Sequence, residues 1–451
     1  MLLKLRLTLN KLTPAQVIVS YYLIGITIST ILLSLPIAHK PRVEWTFIDA
    51  VFTAVSAVSV TGLSTVSIVD TFSTTGVFIL MFVLQIGGIG IMTLGTFFWL
   101  LVGKKIGLKE RQLIMTDQNQ STLSGLVNLL RQILLLIILI EAIGALILGV
   151  YFLNYYPTWQ ESFYHGVFAS VTATTNAGFD ITGESLIPYA NDYFVQFVTI
   201  ILITLGAIGF PVLIETKDFV VNRERKKHHF SLFTKITTLT FAVLLVLGTV
   251  IIVLLEMNHF FKGMDWHKAF FYAFFHSAST KSGGLSTMDM NAFSLSTLLF
   301  LSGLMFIGAS PSSVGGGIRT TTFALNILFL FHFARGNRNI KVFKREIHEE
   351  DLTKSVVVTI MATFLCFLSV LILSITDSNH SLIQLIFEVA SAFGTTGLSM
   401  GITPELSTVG KCVIMILMFI GRVGILSFLI MIGKKQKATK YHYPKERIII
   451  G

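Results

Sequence analysis

"AVFTAVSAVSVTGLS" occupies Ala50–Ser64: an apolar run too short to cross a bilayer, closed by a polar turn at Gly62. The design returns as "GVFASVTATTNAGFD" (Gly166–Asp180), "YAFFHSASTKSGGLS" (Tyr272–Ser286) and "LIFEVASAFGTTGLS" (Leu385–Ser399). Ten residues before the anchor glycines Gly62, Gly178, Gly284 and Gly397 stand Phe52, Phe168, Phe274 and Phe387. A second repeat follows each: "QIGGIG", "TLGAIG", "FIGASP" and "FIGRVG" place Gly87, Gly206, Gly308 and Gly421 at 25, 28, 24 and 24 residues beyond the anchors. Repetition on this scale means one supersecondary unit used four times. Helix packing through small residues accounts for isolated glycines such as Gly144 or Gly248. It does not explain two glycines held at near-constant spacing in four places.

Outside these turns the chain is greasy. It is 53% apolar and 13% charged over 451 residues, against about 25% charged in a soluble domain, which marks a polytopic membrane protein. Spans long enough to cross a bilayer run over Val17–Ala38, Val77–Gly103, Ile133–Leu153, Tyr193–Ile214, Ile236–Leu255, Val356–Ile375 and Cys412–Gly433. An interrupted segment around Gly308 makes eight. Of 34 basic residues, 26 fall on one side, in the N-terminus and in segments such as "GKKIGLKERQ", "NRERKKHHFSLFTK" and "GKKQKATKYHYPKER". The positive-inside rule then puts both termini in the cytoplasm, and the net charge of +10 needs no nucleic-acid partner. Cys366 and Cys412 lie in apolar stretches and suggest no disulfide.

The expected architecture is all-α: four tandem helix–pore-loop–helix units in pseudo-fourfold arrangement around one pore. Their bounds are 17–105, 126–222, 232–335 and 353–433, with cytoplasmic segments at 1–16 and 434–451. A half-crossing that turns back exposes backbone carbonyls at membrane depth, tolerable only where water or an ion satisfies them. Four such turns give a ring of carbonyls able to replace a cation's hydration shell. Each short helix aims its partly negative C-terminal end at the same axis. Glycine suits the turn because it reaches unusual backbone angles and leaves the opening unblocked.

The third unit departs from the others. "GASPSSVGGGIRTT" (Gly308–Thr321) puts three consecutive glycines and a proline where the other units are expected to continue as helix. Such residues cost about 1 kcal/mol per Gly and 3 per Pro in a helix interior, so the chain leaves the helix near mid-membrane. It must then face the cavity below the turns, as a loop obstructing the conduction path. Arg422, aligned with Ala309, is a basic residue at the centre of a span. It either faces the pore and bonds the loop's carbonyls or braces two helices. Arg319 is expected on the cytoplasmic side, satisfied by water or helix ends. Lys281 either pairs with Glu388 or keeps one ion site empty, and Asn176 either lines the mouth or bonds a neighbouring unit.

These motifs resemble the ion-translocating subunits of the Trk/Ktr/HKT potassium-transport superfamily, over essentially the whole chain. "VTGLS" and "TTGLS" behind short helices, together with "GGGIRTT", carry the likeness, which is strongest to bacterial Ktr-type membrane subunits. The resemblance implies a selectivity filter at Val60, Thr61, Gly62; Asn176, Ala177, Gly178; Ser282, Gly283, Gly284; and Thr395, Thr396, Gly397. It implies a gate at Gly308, Ala309, Ser310, Pro311, Ser312, Ser313, Val314, Gly315, Gly316, Gly317 and Arg422. Glycine at all four filter positions implies potassium as the transported ion, with sodium a possible coupling or activating ion; a sodium-permeable or weakly selective channel of the same fold is the alternative. Only the glycine of the potassium-channel pattern TVGYG is shared by all four segments, so discrimination is expected to be less sharp. The likeness also implies a homodimer in the cell membrane and a separate cytosolic ring subunit, with RCK domains, that binds ATP or ADP. The tail "YHYPKERIIIG" is expected to dock at the dimer or ring interface. An enzyme is disfavoured: there is no HExxH, GxSxG or Walker loop, and the spacing of His165, His267 and His276 makes no metal site.

Overall fold

The computed structural model describes residues 13–90, 93, 107, 111–112, 115, 125–221, 230–337, 339–432 and 446. The lead-in before residue 13, much of the basic loops following units 1 and 2, and the tail from 433 (save 446) lie outside the described residues, as do the expectations placed there.

Unit 1 comprises α1 (Pro14–Leu33), the short α2 (Phe47–Ser59) and α3 (Thr74–Ile89). Unit 2 has α4 (Leu126–Tyr151), α5 (Trp159–Thr174), α6 (Tyr193–Ala207) and α7 (Phe210–Val221). Unit 3 has α8 (Leu232–Glu256), α9 (Trp266–Ser279), α10 (Leu295–Ile307) and α11 (Thr320–Ala334). A small hairpin, β1 (Lys341–Val342) against β2 (Arg345–Glu346), leads to unit 4. That unit has α12 (Glu349–Thr376), α13 (Leu382–Gly394), α14 (Thr408–Val423) and α15 (Ile425–Ile432).

The first helix of every unit is long and apolar enough to cross a membrane. At 1.5 Å per residue, the 25 residues of α8 reach about 37 Å, more than the ~30 Å hydrocarbon layer. Their outward faces are apolar: Leu135, Ile138, Leu139 and Leu146 of α4 are all exposed, as lipid-facing residues must be. The short helices α2, α5, α9 and α13 form the interior instead. Thr46 and Thr158 cap two of them through their side chains, and Ser381 with Gln384 forms a capping box on the fourth. Repeated Phe52, Phe168 and Phe387 are at most 2% exposed. In unit 3 the neighbouring Phe275 takes the fully buried place and Phe274 is half-buried.

The second helices differ from expectation. Units 1, 2 and 4 do not continue as unbroken helix past their mid-span glycine. The helix ends two residues or fewer beyond it, and a left-handed glycine stands three residues on: Gly90 (φ 92°), Gly209 (φ 102°) and Gly424 (φ 89°). In unit 2 the two halves, α6 and α7, are bent by 105°. In unit 3 the first glycine, Gly308 (φ 68°), is itself the left-handed residue, and Pro311 occupies the position of the other. All four second helices therefore break at the same place in the repeat, and among the described residues only unit 3 inserts a loop there.

Candidate functional site

The four short helices deliver their C-terminal ends to one place. Immediately beyond each, a non-glycine residue adopts the left-handed conformation: Val60 (58°), Asn176 (52°), Ser282 (68°) and Thr395 (47°). Two residues later Gly62, Gly178, Gly284 and Gly397 do the same. The residue between them donates its amide back to its own short helix: Thr61 to Ser56 O (2.9 Å), Ala177 to Thr172 O (2.8 Å), Gly283 to Ser279 O (2.6 Å) and Thr396 to Ser391 O (2.8 Å). With the N–H groups used behind, the carbonyls are left for the front.

The glycines close a ring. A Cβ added to Gly62 would meet Ala177 O and the Gly178 Cα, one on Gly178 the Gly284 Cα, one on Gly284 Thr396 O and the Gly397 Cα, and one on Gly397 Thr61 O and the Gly62 Cα. At every step the nearest approach is under 3.0 Å, closer than a real Cβ tolerates. Each glycine thus packs directly on its neighbour's backbone, beside the carbonyl oxygens of Thr61, Ala177 and Thr396, and a methyl group at any of the four would clash.

Hydroxyl groups also hold this backbone, a feature that the Phe–Gly spacing does not reveal. Ser56 Oγ accepts from Gly62 N (3.1 Å) and Ser391 Oγ from Gly397 N (3.0 Å). Thr172 donates to Phe179 O (2.8 Å) and Ser279 to Leu285 O (2.6 Å). The signal was present six residues before the anchor glycine, where units 1, 2 and 4 read Ser, Thr and Ser.

Asn176 is fully buried rather than at the mouth. In one orientation its amide donates to Lys281 O of the neighbouring unit (3.4 Å); turned over, it donates to Ala173 O (2.8 Å) and Ile203 O (3.2 Å) of its own unit. Lys281 is also fully buried, and the expected pair with Glu388 does not form. The Lys281 amine reaches Leu304 O of α10 at 3.5 Å, and no carboxylate lies within 4.0 Å among the described residues. Glu388 is satisfied locally, accepting from Ser399 Oγ (2.9 Å) and from the Thr403 hydroxyl.

Next to the ring lies the unit 3 loop. Gly316 N donates to Ser282 Oγ (3.3 Å), and Cβ atoms on Gly315 and Gly316 would strike Ser282 and Thr395, so the loop's crest touches two of the four turns. Its flanks bond the broken end of α6, Ser310 N to Ala207 O (3.0 Å) and Val314 N to Gly206 O (3.2 Å). Phe210 N in turn donates to Ser312 O (2.8 Å). Arg422, 8% exposed, donates to Val314 O in the loop and to Gly87 O at the end of α3, with Gly88 O at 3.4 Å. One guanidinium thereby ties units 4, 3 and 1 together. Arg319 is not satisfied by helix ends as expected: it lies half-buried and donates to Gly315 O and Ser310 O (3.4 Å) within the loop. On the loop's other face a cavity of about 520 Å³ is lined by Pro311, Ser312, Arg319 and Arg422, and by Asp351 and Lys354 of α12.

A family model described as a cation transport protein, TrkH, matches residues 6–442. The chain belongs to the TrkH family. It is 64% identical, over all 451 residues of both chains, to the Ktr system potassium uptake protein D of Bacillus subtilis. To the Ktr system potassium uptake protein B of the same organism it is 35% identical, over 98% of this chain and 97% of that one. The crystal structure of the potassium transporter TrkH from Vibrio parahaemolyticus superimposes with a TM-score of 0.71 at 19% identity, covering 91% of this chain and 84% of the other, so the two share a fold. As a TrkH-family protein the chain is a multi-pass membrane transporter and not an enzyme. Its ring of glycines and its loop lie wholly inside the matched region.

Proposed function

We propose that this chain is the pore-forming subunit of a potassium-uptake system of the cell membrane. In this reading the glycine ring is the selectivity filter and the unit 3 loop with Arg422 is the gate. The observation that carries the reading is the closed approach of Gly62, Gly178, Gly284 and Gly397 to one another's backbone, with the carbonyl oxygens of Thr61, Ala177 and Thr396 beside them. A potassium ion entering there exchanges hydration water for main-chain oxygens, and the C-terminal ends of four short helices favour its charge. The glycine ring leaves no side chain in the way. Behind it the loop fills the path, and the Arg422 guanidinium repels a waiting cation while bonding the loop in place.

Both termini lie in the cytoplasm on the charge distribution, and the names of the Ktr-system relatives support a multi-component assembly. We place a cytosolic ring subunit that binds ATP or ADP against the cytoplasmic side of a homodimer of this chain, where it controls the loop. Sodium acts as an activating or coupling ion in this scheme. Uptake of radiolabelled rubidium into proteoliposomes, with potassium or sodium as competitor, tests the proposal. Potassium should compete far better than sodium. Equal competition would replace the reading with a weakly selective cation channel of the same fold, and no uptake would remove it.

A further inference from the structure

Glu141 sits in the middle of α4, in a segment of hydropathy 3.0, and is 7% exposed. Its Oε2 accepts from Gln85 Nε2 of α3 at 2.5 Å. Glu141 Oε1 and Gln85 Oε1 are both shut off from solvent and both lack a hydrogen-bond partner. The nearby Ser170 hydroxyl is committed elsewhere, donating to the main-chain carbonyl of Glu141 at 2.8 Å. No Lys, Arg or His nitrogen comes within 4.0 Å of the carboxyl group among the described residues. Two side chains thus meet in the membrane interior with one donor too few. An ionised carboxylate there would carry its charge on a single hydrogen bond, a costly arrangement. A metal cation would need more oxygen ligands than these two side chains offer. One proton suffices: on Glu141 Oε1 it donates to Gln85 Oε1 while the Gln85 amide donates to Glu141 Oε2, a closed pair that leaves no orphan.

We propose that Glu141 is a protonated, uncharged carboxyl group whose pairing with Gln85 positions the end of α3 for the Arg422 latch. Gln85 lies two residues before Gly87, whose carbonyl Arg422 grips. Locking its side chain to α4 fixes the last turn of α3 where that carbonyl points. Glu141 touches neither the ion path nor the loop and acts as a positioning residue. The positioning half rests on the gate proposed above, and the protonation half does not.

Infrared difference spectra of the full-length protein at pH 7, wild type minus Glu141→Gln, read the proton directly. The expected difference is one lost protonated-carboxyl carbonyl band; loss of a carboxylate pair of bands instead would overturn the proposal. Rubidium leak from proteoliposomes reads the positioning. Glu141→Gln keeps both bonds as an amide–amide pair and should leak within about twofold of wild type, the scatter of a few tenths of a kcal/mol. Glu141→Ala and Gln85→Leu should leak severalfold more. Should both stay at wild-type leak while Arg422→Met raises it, the positioning role falls and the gate stands. Silence of Arg422→Met as well would remove the gate and the positioning role together.

Discussion

Replacing Arg422 by Met removes the guanidinium while keeping a long, flexible side chain suited to a membrane span. The structure sets the size of the effect. Arg422 makes two close charge-assisted hydrogen bonds, to Val314 O and Gly87 O, and bonds to charged groups are worth about 1.5–3 kcal/mol each. If both exist only while the loop is latched, the lower figure gives about 3 kcal/mol, or about a hundredfold in the latched–unlatched equilibrium. Arg422→Lys should fall between: a point-like ammonium reaches one of two carbonyls on different units but cannot fork between them. We therefore expect leak to rise in the order wild type, Lys, Met, by about tenfold and about a hundredfold until the pore is fully open. The assay is rubidium efflux from proteoliposomes containing this chain alone, with size-exclusion profiles to show that the variants assemble. Removing a charge from mid-span lowers the cost of insertion, so poor assembly is not the expected result. Equal leak across well-assembled variants would refute the latch.

Four further substitutions have expected outcomes. Gly397→Ala places a methyl group against Thr61 O and the Gly62 Cα, so rubidium uptake should be abolished while the protein still assembles; Gly62→Ser should at least reduce discrimination against sodium. Ser391→Ala removes the acceptor of Gly397 N, a loss of about 1 kcal/mol in thermal stability, and should lower the potassium-to-sodium uptake ratio because the carbonyls beside Gly397 are no longer held. Lys281→Met deletes a buried amine whose only acceptor among the described residues is Leu304 O at 3.5 Å; if the amine acts on the filter, apparent potassium affinity in competition uptake should increase, and an unchanged affinity would mean that it does not.

The fourfold plan was legible because each unit repeats a Phe and a Gly ten residues apart, and because first helices such as α4 and α8 are continuous apolar runs. The breaks in α3, α6 and α14 were less visible. Gly90, Gly209 and Gly424 lie in apolar surroundings, where a single glycine reads as a packing residue; the informative feature was the recurrence of a second glycine three residues after the first, with Pro311 in its place in unit 3. Lys281 and Glu388 invited pairing because a cation and a carboxylate stood beside two filter segments. That inference failed since Ser399 and Thr403, 11 and 15 residues beyond Glu388, satisfy the carboxylate within its own unit. The partners of Arg319 were missed for a similar reason: its position at the end of the loop gave no sign that the chain folds back and presents Gly315 O and Ser310 O to it.

The breaks also explain how four similar quarters accommodate the single unsymmetrical loop that we propose as the gate. A helix that ends inside a membrane leaves terminal carbonyls without intrahelical donors, and no lipid can supply them. At the end of α6 those carbonyls, Gly206 O and Ala207 O, accept from Val314 N and Ser310 N; at the end of α3, Gly87 O accepts from Arg422. The interrupted ends of α6 and α3 provide acceptors, and the unit 3 loop together with the arginine of unit 4 provides their donors. Leaving this position exposes the same carbonyls again, and only water can then satisfy them. If the loop is the gate proposed above, its withdrawal is coupled to wetting of the space it fills, so that hydration of the path and release of the latch are one event.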